Sequence, residues 1–490
     1  MSKPYRPWAP DQAYLLPPSP AEWLPEGHLA YFVLEVVQEL DIGAIEGAIQ
    51  EKDPRGERPY SPRMMTALIL YAYCAGVFSS RRIERATYED VALRVIAGGT
   101  HPHFTSVNRF RLEHRKALAG LFVQVLKLCA RAGLKTVGHV ALDGSKVQAN
   151  ASKHKAMSYG RMKEDEKRLQ AEIEALLGRA EDVDAAEDAE HGADMRGDEI
   201  PEELRRRETR LQRIRAAKVE LEKEAAEARA AELRENAERL QKTADDESAK
   251  PRQRQLATTL ASKAEKEAKK LSGGKDDDDA NGGGASQLSL HRVPTTRDGK
   301  PKDTAQRNFT DADSRIMHRN GAFLQAYNAQ AAVSEDQIIL AHGVTNNPTD
   351  TNQLIPMLDR VAENCGRHAA VMTADTGYLS EANVTYCAKN GIDAYVALRR
   401  SDAEKLTQVP ASTALVAHWD MHQKVSSPRG KRIYALRKVL VEPVFGQIKA
   451  AMGFRRFSLR GRLKVESEWG IVCLCHNLLK LFRARRLATA

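Results

Sequence analysis

The 490-residue chain has few cysteines and no long apolar run. Its six cysteines include no pair at CxxC spacing, which argues against both a disulfide framework and a structural zinc site. No stretch of about 18 apolar residues occurs, and the opening MSKPYRPWAP lacks the charged-then-apolar form of a signal peptide. We therefore expect a cytoplasmic protein with no membrane partner.

Positive charge is concentrated towards the end of the chain. The formal net charge of +9 is modest for this length. Residues 449–486, however, contain ten Lys and Arg residues and only two acidic ones, Glu466 and Glu468. Such a local excess of basic residues is typical of binding to nucleic-acid phosphates. We expect the partner to be a nucleic acid.

Residues 1–135 are predicted to form an all-helical N-terminal domain. From residue 26 onward, apolar residues recur at helical spacing between turn signals. One predicted helix begins at Thr105 or Ser106 and carries Arg109 and Arg111 in its first turns. Its basic face favours DNA binding, although a solvated basic face on an ordinary helix explains the pattern equally well.

The middle of the chain, residues 160–286, is predicted to be a long helical, coiled-coil-like insertion. It is rich in Ala, Glu, Lys, Arg and Leu and has almost no aromatic residues. Met162, Leu169 and Leu176 recur at intervals of seven, so two amphipathic helices are expected to pair as a hairpin or across a dimer. A Gly- and Asp-rich linker at residues 272–286 closes the insertion.

After the linker, strand and helix patterns alternate, which predicts an α/β sheet. The apolar run Val140 to Asp143 is expected to supply an earlier strand of the same sheet, with SKVQANAS turning back beside it. Residues 136–159 and 287–490 would then form one domain that the helical insertion interrupts. The expected fold class is α/β, with a mixed sheet and helices, preceded by the helical N-terminal domain.

Two aspartates at the ends of apolar runs form a candidate metal site. Asp143 ends the first predicted strand and Asp375 ends the strand AAVMTAD; ligand sites in open α/β sheets lie at such strand ends. A third acid, Glu442, precedes Pro443, which suits the first turn of a helix. Three carboxylates suit Mg²⁺ or Mn²⁺, and two such ions roughly 4 Å apart can promote an in-line displacement at phosphorus. For each single aspartate, a turn-forming role is the alternative.

Four collinear segments carry a family resemblance: DGSKVQANAS, NFTDADSRIMHRNGAFLQAYNAQAAV, ADTGYLS and VEPVFGQIKAAMGFRRFSLRG. Together they resemble bacterial insertion-sequence transposases of the DDE class. The resemblance implies a ribonuclease-H-like catalytic domain in which Asp143, Asp375 and Glu442 form the catalytic, metal-binding triad. It further implies metal-dependent phosphodiester hydrolysis and strand transfer at the ends of an insertion sequence.

The resemblance also implies the DNA contacts. The family's signature places a Tyr, an Arg, the Glu and a Lys at fixed intervals, and Glu442 and Lys449 fit it. Tyr434 and Arg437 lie one residue further from the Glu than the pattern asks. Phosphate contacts are expected from three further arginines, Arg455, Arg456 and Arg460. The expected partners are double-stranded DNA, both terminal inverted repeats and target, bound by a homodimer.

Two other functions are left open by the residues. One is a ribonuclease-H-like nuclease that cuts without strand transfer, and the other is a transposase-derived DNA-binding protein without catalysis. Some further residues have a structural interpretation beside a functional one: Asp311, Asp313, His342, Asp350, Cys473, Cys475 and His476. For the first two we expect a turn, and for the cysteines and His476 core packing. His342 and Asp350 could lie near the active face, although a lone histidine is more often structural.

Overall fold

The structure, a computed structural model, describes most of the chain. The described residues are 22–51, 58–134, 137–191, 202–246, 250–271, 287–319, 321–398 and 413–489. The predicted Gly- and Asp-rich linker at 272–286 and the turn expected between the insertion helices lie outside them. No helix within the described residues is long and apolar enough to cross a membrane.

The N-terminal region is all-helical, as the sequence predicts. Its described helices are α1 (Leu29–Glu39), α2 (Gly43–Gln50), α3 (Pro62–Cys74), α4 (Ser80–Glu89), α5 (Val91–Ile96), α6 (Phe104–Glu113) and α7 (Arg115–Arg131). Side-chain caps define several starts. Ser61 Oγ accepts the Met64 N–H at 3.4 Å before α3, and Asp90 Oδ1 accepts the Leu93 N–H at 3.0 Å before α5.

The helical insertion follows the first strand, β1 (His139–Gln148), and two short strands flank it. Their elements are β2 (Ala156–Ser158), α8 (Tyr159–His191), α9 (Glu202–Asp245), α10 (Pro251–Leu271) and β3 (Gln306–Asn308). α8 and α9 run antiparallel, since Glu166 pairs with Arg215 at 3.0 Å and Glu172 with Arg207 at 2.9 Å. They share a small apolar core, and α10 packs on α9 through another. The predicted pairing is thus confirmed as a hairpin within one chain, to which a third helix is added.

The remaining strands form one mixed sheet with β1. They are β4 (Arg315–Arg319), β5 (Ala322–Ser334), β6 (Ile339–Thr345), β7 (Val371–Ala374) and β8 (Asp393–Val396). β5 pairs antiparallel with β1 along one edge and with β4 and β6 along the other. β1, β7 and β8 are parallel neighbours. This is the ribonuclease-H-like arrangement that the sequence predicts.

The helices after β6 connect this sheet to the N-terminal region. They are α11 (Leu354–Cys365), α12 (Glu381–Lys389), α13 (Thr413–Ser426), α14 (Pro428–Gly446) and α15 (Arg462–Thr489), with a π-helical turn, Gln447–Ala451, directly after α14. α15 packs against α3, α7 and β6, and its residues 471–478 are all buried. One hydrophobic core therefore runs from the N-terminal helices to the sheet.

One prediction about the first strand is wrong. β1 does not end at Asp143 but continues to Gln148, because it remains paired with β5 throughout. The segment SKVQ therefore extends the strand instead of turning back. Only the pairing of β1 with β7 stops, at Leu142 beside Ala374, so that Asp143 and Asp375 each lie one residue beyond the paired ends.

Candidate active site

Asp143 and Asp375, here called the acid pair, lie together where two parallel strands stop pairing. Asp143 is on β1 and Asp375 follows β7 directly. The Arg437 guanidinium, from α14, contacts both: its Nη2 donates to Asp143 Oδ2 at 3.0 Å and lies 3.9 Å from Asp375 Oδ2. The structure therefore brings together the two acids that the strand pattern indicates, and it places a cation between them.

Partial burial determines the electrostatics of the acid pair. Burial raises the pKa of Asp143 to about 6, although Arg437 opposes the rise and Asp375 adds to it. Burial also raises the pKa of Asp375, against the N–H of Gly377, which donates to Asp375 Oδ1 at 2.9 Å. Tyr434 lies one turn before Arg437, and its pKa is raised by burial and then by both acids. Two partly buried like charges favour a further cation beside them.

Asp350 is a third carboxylate near the acid pair. It accepts hydrogen bonds from Asn328 Nδ2 at 2.6 Å and Gln330 Nε2 at 2.7 Å, and its Oδ2 lies 3.3 Å from Lys146 Nζ. After burial, its negative charge is one of the causes that raise the pKa of both acids. Gly144 leaves room for it, because a Cβ there would lie 2.6 Å from Asp350 Oδ1. Asp350 therefore lies near the acid pair, although the strand residues that contact it are on the face of the sheet opposite to Asp143.

Glu442 is on the same helix as Arg437 but does not join the acid pair. It is exposed. No group of three or more Asp, Glu, His or Cys side chains in the described part of the chain is arranged to hold a metal ion. The expected helix start at Pro443 is also wrong, since Pro443 lies inside α14. The carbonyl that it leaves without a helical donor, that of Val439, accepts from Gln337 Nε2 at 2.9 Å.

The π-helical turn after α14 brings Lys449 to β1. Lys449 Nζ donates to Ser145 Oγ, and Ser145 shares a face of β1 with Asp143 because side chains alternate along a strand. Burial, and after it the charge of Arg319, lowers the pKa of Lys449. π-Helical turns are frequent at functional sites. Lys449 thus lies close to the acid pair, on the same face of the sheet.

Exposed arginines surround the end of β1. Arg456 Nη2 donates to Asn150 Oδ1 at 2.9 Å, and Arg460 Nε donates to the Asn150 carbonyl at 2.9 Å. Arg455 Nε donates to the Lys449 carbonyl at 3.1 Å. Lys449, Arg455, Arg456 and Arg460 form what we call the basic rim. The rim lies along the strand that carries Asp143.

The other basic residues of segment 449–486 are on α15 and not beside β1. All six lie on α15, whose apolar residues are packed in the core. Some form ion pairs there, Arg485 with Glu35 at 2.5 Å and Arg462 with Glu466 at 3.1 Å. The basic segment that the sequence indicates is therefore divided between the basic rim and α15, where four of the six basic side chains are exposed.

Of the two arginines on α6 that were predicted to contact DNA, one is buried. Arg111 is 3% exposed, and its Nη1 donates to Tyr73 Oη at 2.8 Å and to the Phe78 carbonyl at 2.9 Å. The guanidinium of Arg111 is thus bound within the N-terminal core, and a DNA contact by Arg111 stays a prediction. Arg109 is exposed and lines a cleft of about 560 Å³ together with Arg81.

Asp311 and Asp313 order a turn, as expected. Asp311 Oδ1 accepts from Tyr327 Oη at 2.8 Å, and Asp313 Oδ2 accepts the Arg462 N–H at 2.7 Å. The two aspartates fasten the segment before β4 to β5 and to the start of α15. Neither contacts the acid pair.

His342 and the cysteine group on α15 are packing residues. The His342 ring lies edge-on to Phe122, with centroids 4.5 Å apart, and the desolvation of the ring lowers its pKa to about 3. Cys473, Cys475 and His476 are fully buried. Core packing, the prediction for this group, is confirmed.

Comparison with known proteins decides the family. Residues 290–478 match the family model described as transposase DDE domain, and residues 19–113 match the one described as transposase domain (DUF772). Together the two matches cover more than half of the chain. The chain belongs to the DDE transposases. It is a DNA transposase of the insertion-sequence type.

The DDE match begins after the helical insertion and so leaves out Asp143. In this transposase, it is the sheet that joins Asp143 to Asp375, through the pairing of β1 with β5 and β7. No curated protein and no solved structure matches the chain. The arrangement of the candidate site residues is therefore described from the fold of this transposase alone.

Proposed function

We propose that this transposase holds two divalent ions, Mg²⁺ or Mn²⁺, through Asp143, Asp375 and Glu442. It hydrolyses a phosphodiester at each end of its insertion sequence and joins the freed 3′-hydroxyl to target DNA. The observation that carries the proposal is the acid pair: two partly buried carboxylates from adjacent parallel strands face one guanidinium group. Two ionised carboxylates beside one guanidinium leave a net negative charge, which favours a divalent cation.

The acid pair fits a hard divalent cation. Asp143 Oδ2 and Asp375 Oδ2 both face Arg437 Nη2, at 3.0 and 3.9 Å, and Mg²⁺ is commonly held by one or two carboxylates together with waters and substrate phosphates. Such ions, when bound, activate a water or a 3′-hydroxyl and stabilise the leaving oxygen. Glu442 is proposed as the third ligand from the family signature, and it is exposed on the helix that carries Arg437.

The protein's own groups are proposed to bind and orient the DNA. The basic rim offers four positive charges to phosphates beside the acid pair. Tyr434 and Arg437 face the same acids from α14. Arg109, exposed in its cleft with Arg81, is proposed to contact the terminal repeat.

The DNA partners proposed are the terminal inverted repeats of the element and its target, both double-stranded. Both ends of an element must be held together if both are to be joined to one target. We therefore propose a homodimer on DNA, acting in the cytoplasm. The described insertion helices pack within one chain, so the dimer contact is proposed to form elsewhere or through their exposed faces.

The first prediction concerns the acids. Asp143→Asn, Asp375→Asn and Glu442→Gln should each reduce Mg²⁺-dependent cleavage of a labelled end duplex by more than about 100-fold. Even partners that only orient a metal ligand contribute 10–100-fold. Folding, followed by thermal unfolding, and DNA affinity should stay near wild type. Glu335→Gln, at an exposed position between β5 and β6, is the matched control and should cleave normally.

Asp350→Asn, measured in the same assay, tests whether Asp350 or Glu442 is the third carboxylate that catalysis needs. Wild-type cleavage by Glu442→Gln, with cleavage lost in Asp350→Asn, would assign the third position to Asp350 and not to Glu442. Wild-type rates in Asp143→Asn or Asp375→Asn would remove the acid pair from catalysis. Joined products with a second duplex should appear together with the cleavage products; cutting without joining would instead indicate a nuclease.

A further inference from the structure

A second basic groove lies between α9 of the insertion and the segments that contain β2 and β3. It has a volume of about 1250 Å³. α9 forms one wall, and residues 154–157 and 307–312 form the other. We call it the insertion groove. The residues that line it, all in the described part of the chain, include neither the acid pair nor the basic rim.

The insertion groove is strongly positive. Seven of its lining residues are Lys or Arg, and the one acidic residue is Glu220. Six of the cations are exposed, among them Arg205 and Arg213 on α9, Lys155 on the opposite wall and Arg161 at the start of α8. No carboxylate among the described residues pairs with these four side chains. Their charges are thus available to an anionic ligand.

Other cations of the groove hold the insertion in place. Arg210 Nη2 lies 3.2 Å from Asp165 Oδ2 on α8, and Arg307 pairs with Glu224 on α9. The first pair joins α9 to α8, and the second joins α9 to the opposite wall of the groove. Arg205, Arg213, Lys155 and Arg161 are not part of these two pairs.

An exposed aromatic ring lies in the same groove. Phe309 is 40% exposed, and its N–H donates to the carbonyl of Lys155 at 3.0 Å, so the ring lies on the same wall as Lys155. Exposed aromatic rings among cations are typical of surfaces that bind nucleic acid, where the ring stacks on bases and the cations bind phosphates. This combination favours a nucleic acid over an acidic protein surface.

The insertion groove continues the line of the basic rim. The chain leaves β1 at Gln148, passes Asn150, which Arg456 and Arg460 contact, and reaches Lys155 on the groove wall. From the acid pair to Lys155 the chain can span at most roughly 40 Å at about 3.3 Å per residue. That distance corresponds to about twelve base pairs of duplex at 3.4 Å each.

We propose that the insertion groove binds the sugar–phosphate backbone of the DNA substrate, within about one helical turn of the acid pair. The inference rests on the proposed function, because the ligand is the DNA on which the acids act. Contacts of this kind supply affinity and fix the register of the DNA, and they do not read its sequence. The insertion thereby acts as a clamp on the DNA.

Equilibrium binding of the full-length protein tests the groove. The probe is a fluorescein-labelled 40-base-pair duplex of arbitrary sequence, followed by anisotropy without metal between 50 and 200 mM KCl. Arg205→Ala/Arg213→Ala and Lys155→Ala/Arg161→Ala should each bind about tenfold more weakly than wild type. Their plots of log affinity against log salt should be shallower by about two, since each lost phosphate contact accounts for about 0.9.

The matched control is Lys263→Ala/Lys266→Ala, which removes two exposed charges from α10 of the same insertion. It should bind like wild type. Photo-crosslinking locates the contact directly: benzoylphenylalanine in place of Phe309 should crosslink to the duplex, and in place of Leu260, also exposed but on α10, it should not. A 40-nucleotide single strand measured in parallel shows which form of DNA the groove prefers; weaker binding of either form by the groove variants supports the inference.

Wild-type slopes in both groove variants, with no crosslink from position 309, would overturn the inference. An equal loss in the Lys263/Lys266 control would also overturn it, because the effect would then be one of overall charge. Thermal unfolding of each variant confirms that the fold is intact. The measurement uses neither metal nor cleavage, so a failure here is distinct from wild-type cleavage by the acid-pair variants, which would contradict the proposed function itself.

Discussion

His476 shows how a single buried side chain makes stability depend on pH. Its ring is fully buried on α15, with Nε2 2.9 Å from the carbonyl oxygen of Gln337. Burial lowers its pKa to about 4, the Gln337 carbonyl opposes this, and Lys480 and Arg483 add to it. In the sequence, the spacing of Cys473, Cys475 and His476 resembles that of metal ligands. In the structure, the His476 ring is neutral and packs in the core.

We predict that His476→Gln reduces the acid sensitivity of the fold. An unfolded histidine has a pKa near 6.5, so between that value and the folded pKa of about 4 the unfolded state binds more protons. The stability contributed by neutral His476 is therefore present above pH 6.5 and is lost as the pH falls towards 4. From pH 6.5 to 4.5 the loss is roughly 2–3 kcal/mol.

Urea unfolding at pH 6.5 and 4.5 measures this difference. The free energy of unfolding of His476→Gln should fall less over the interval than that of wild type, by roughly the same 2–3 kcal/mol. His318→Gln, at an exposed position on β4, is the control and should follow wild type. Parallel pH curves for wild type and His476→Gln would contradict the prediction.

Among the elements, α14 connects the fold to the site. It carries Tyr434, Arg437 and Glu442, and it contains Pro443 in its interior. A proline there removes one helical hydrogen bond and clashes with the preceding turn, at a cost of roughly 3 kcal/mol. The π-helical turn that brings Lys449 to β1 follows within a few residues. We infer that the strain at Pro443 serves to position the end of this helix.

We predict that Pro443→Ala stabilises the protein and impairs it as an enzyme. The free energy of unfolding should rise by about 1–3 kcal/mol because the missing N–H is restored. Cleavage should fall, because a regular helix would rotate Glu442 and Lys449 relative to β1. Pro428→Ala is the matched control: Pro428 is in the first turn of α14, where proline costs little, so stability and cleavage should both stay near wild type. A Pro443→Ala variant that is more stable and fully active would contradict the positioning role.

At the scale of the whole molecule, the N-terminal helical region and the helical insertion differ in whether each has a hydrophobic core of its own. The N-terminal helices α3 and α7 bury their apolar faces against α15, which comes from the other end of the chain. The insertion, by contrast, buries its apolar residues in two clusters of its own. Similar helical patterns in the sequence therefore correspond to two different kinds of structural unit.

Two fragments test this difference. Residues 153–310, which contain β2, α8–α10 and β3, should be helical and unfold cooperatively in circular dichroism, because both of their small cores are complete. Residues 1–135 should not, because without α15 the buried faces of α3 and α7 are exposed to water. A peptide of residues 462–489 added to the second fragment should restore some helical structure. Cooperative unfolding of residues 1–135 alone would show that this region folds independently of α15.

Local patterns in the sequence determined the order of strands and helices, the helical insertion and the two aspartates. Periodicity and strand ends depend on near neighbours, so no tertiary contact is needed to recognise them. The sequence indicates Asp350 more weakly, because this aspartate follows the end of β6 only after a few residues. Its closeness to the acid pair depends on Asn328, Gln330 and Lys146, from other strands.

Only the tertiary structure decided how far β1 and α14 extend and which neighbouring elements they contact. β1 extends beyond Asp143 because β5, which follows the whole insertion, pairs with it to Gln148. α14 passes through Pro443 because neighbouring elements hold it and Gln337 satisfies the free carbonyl of Val439. In each case a contact distant in sequence outweighs a local preference, because the free energy of packing and pairing exceeds that of a single turn or cap.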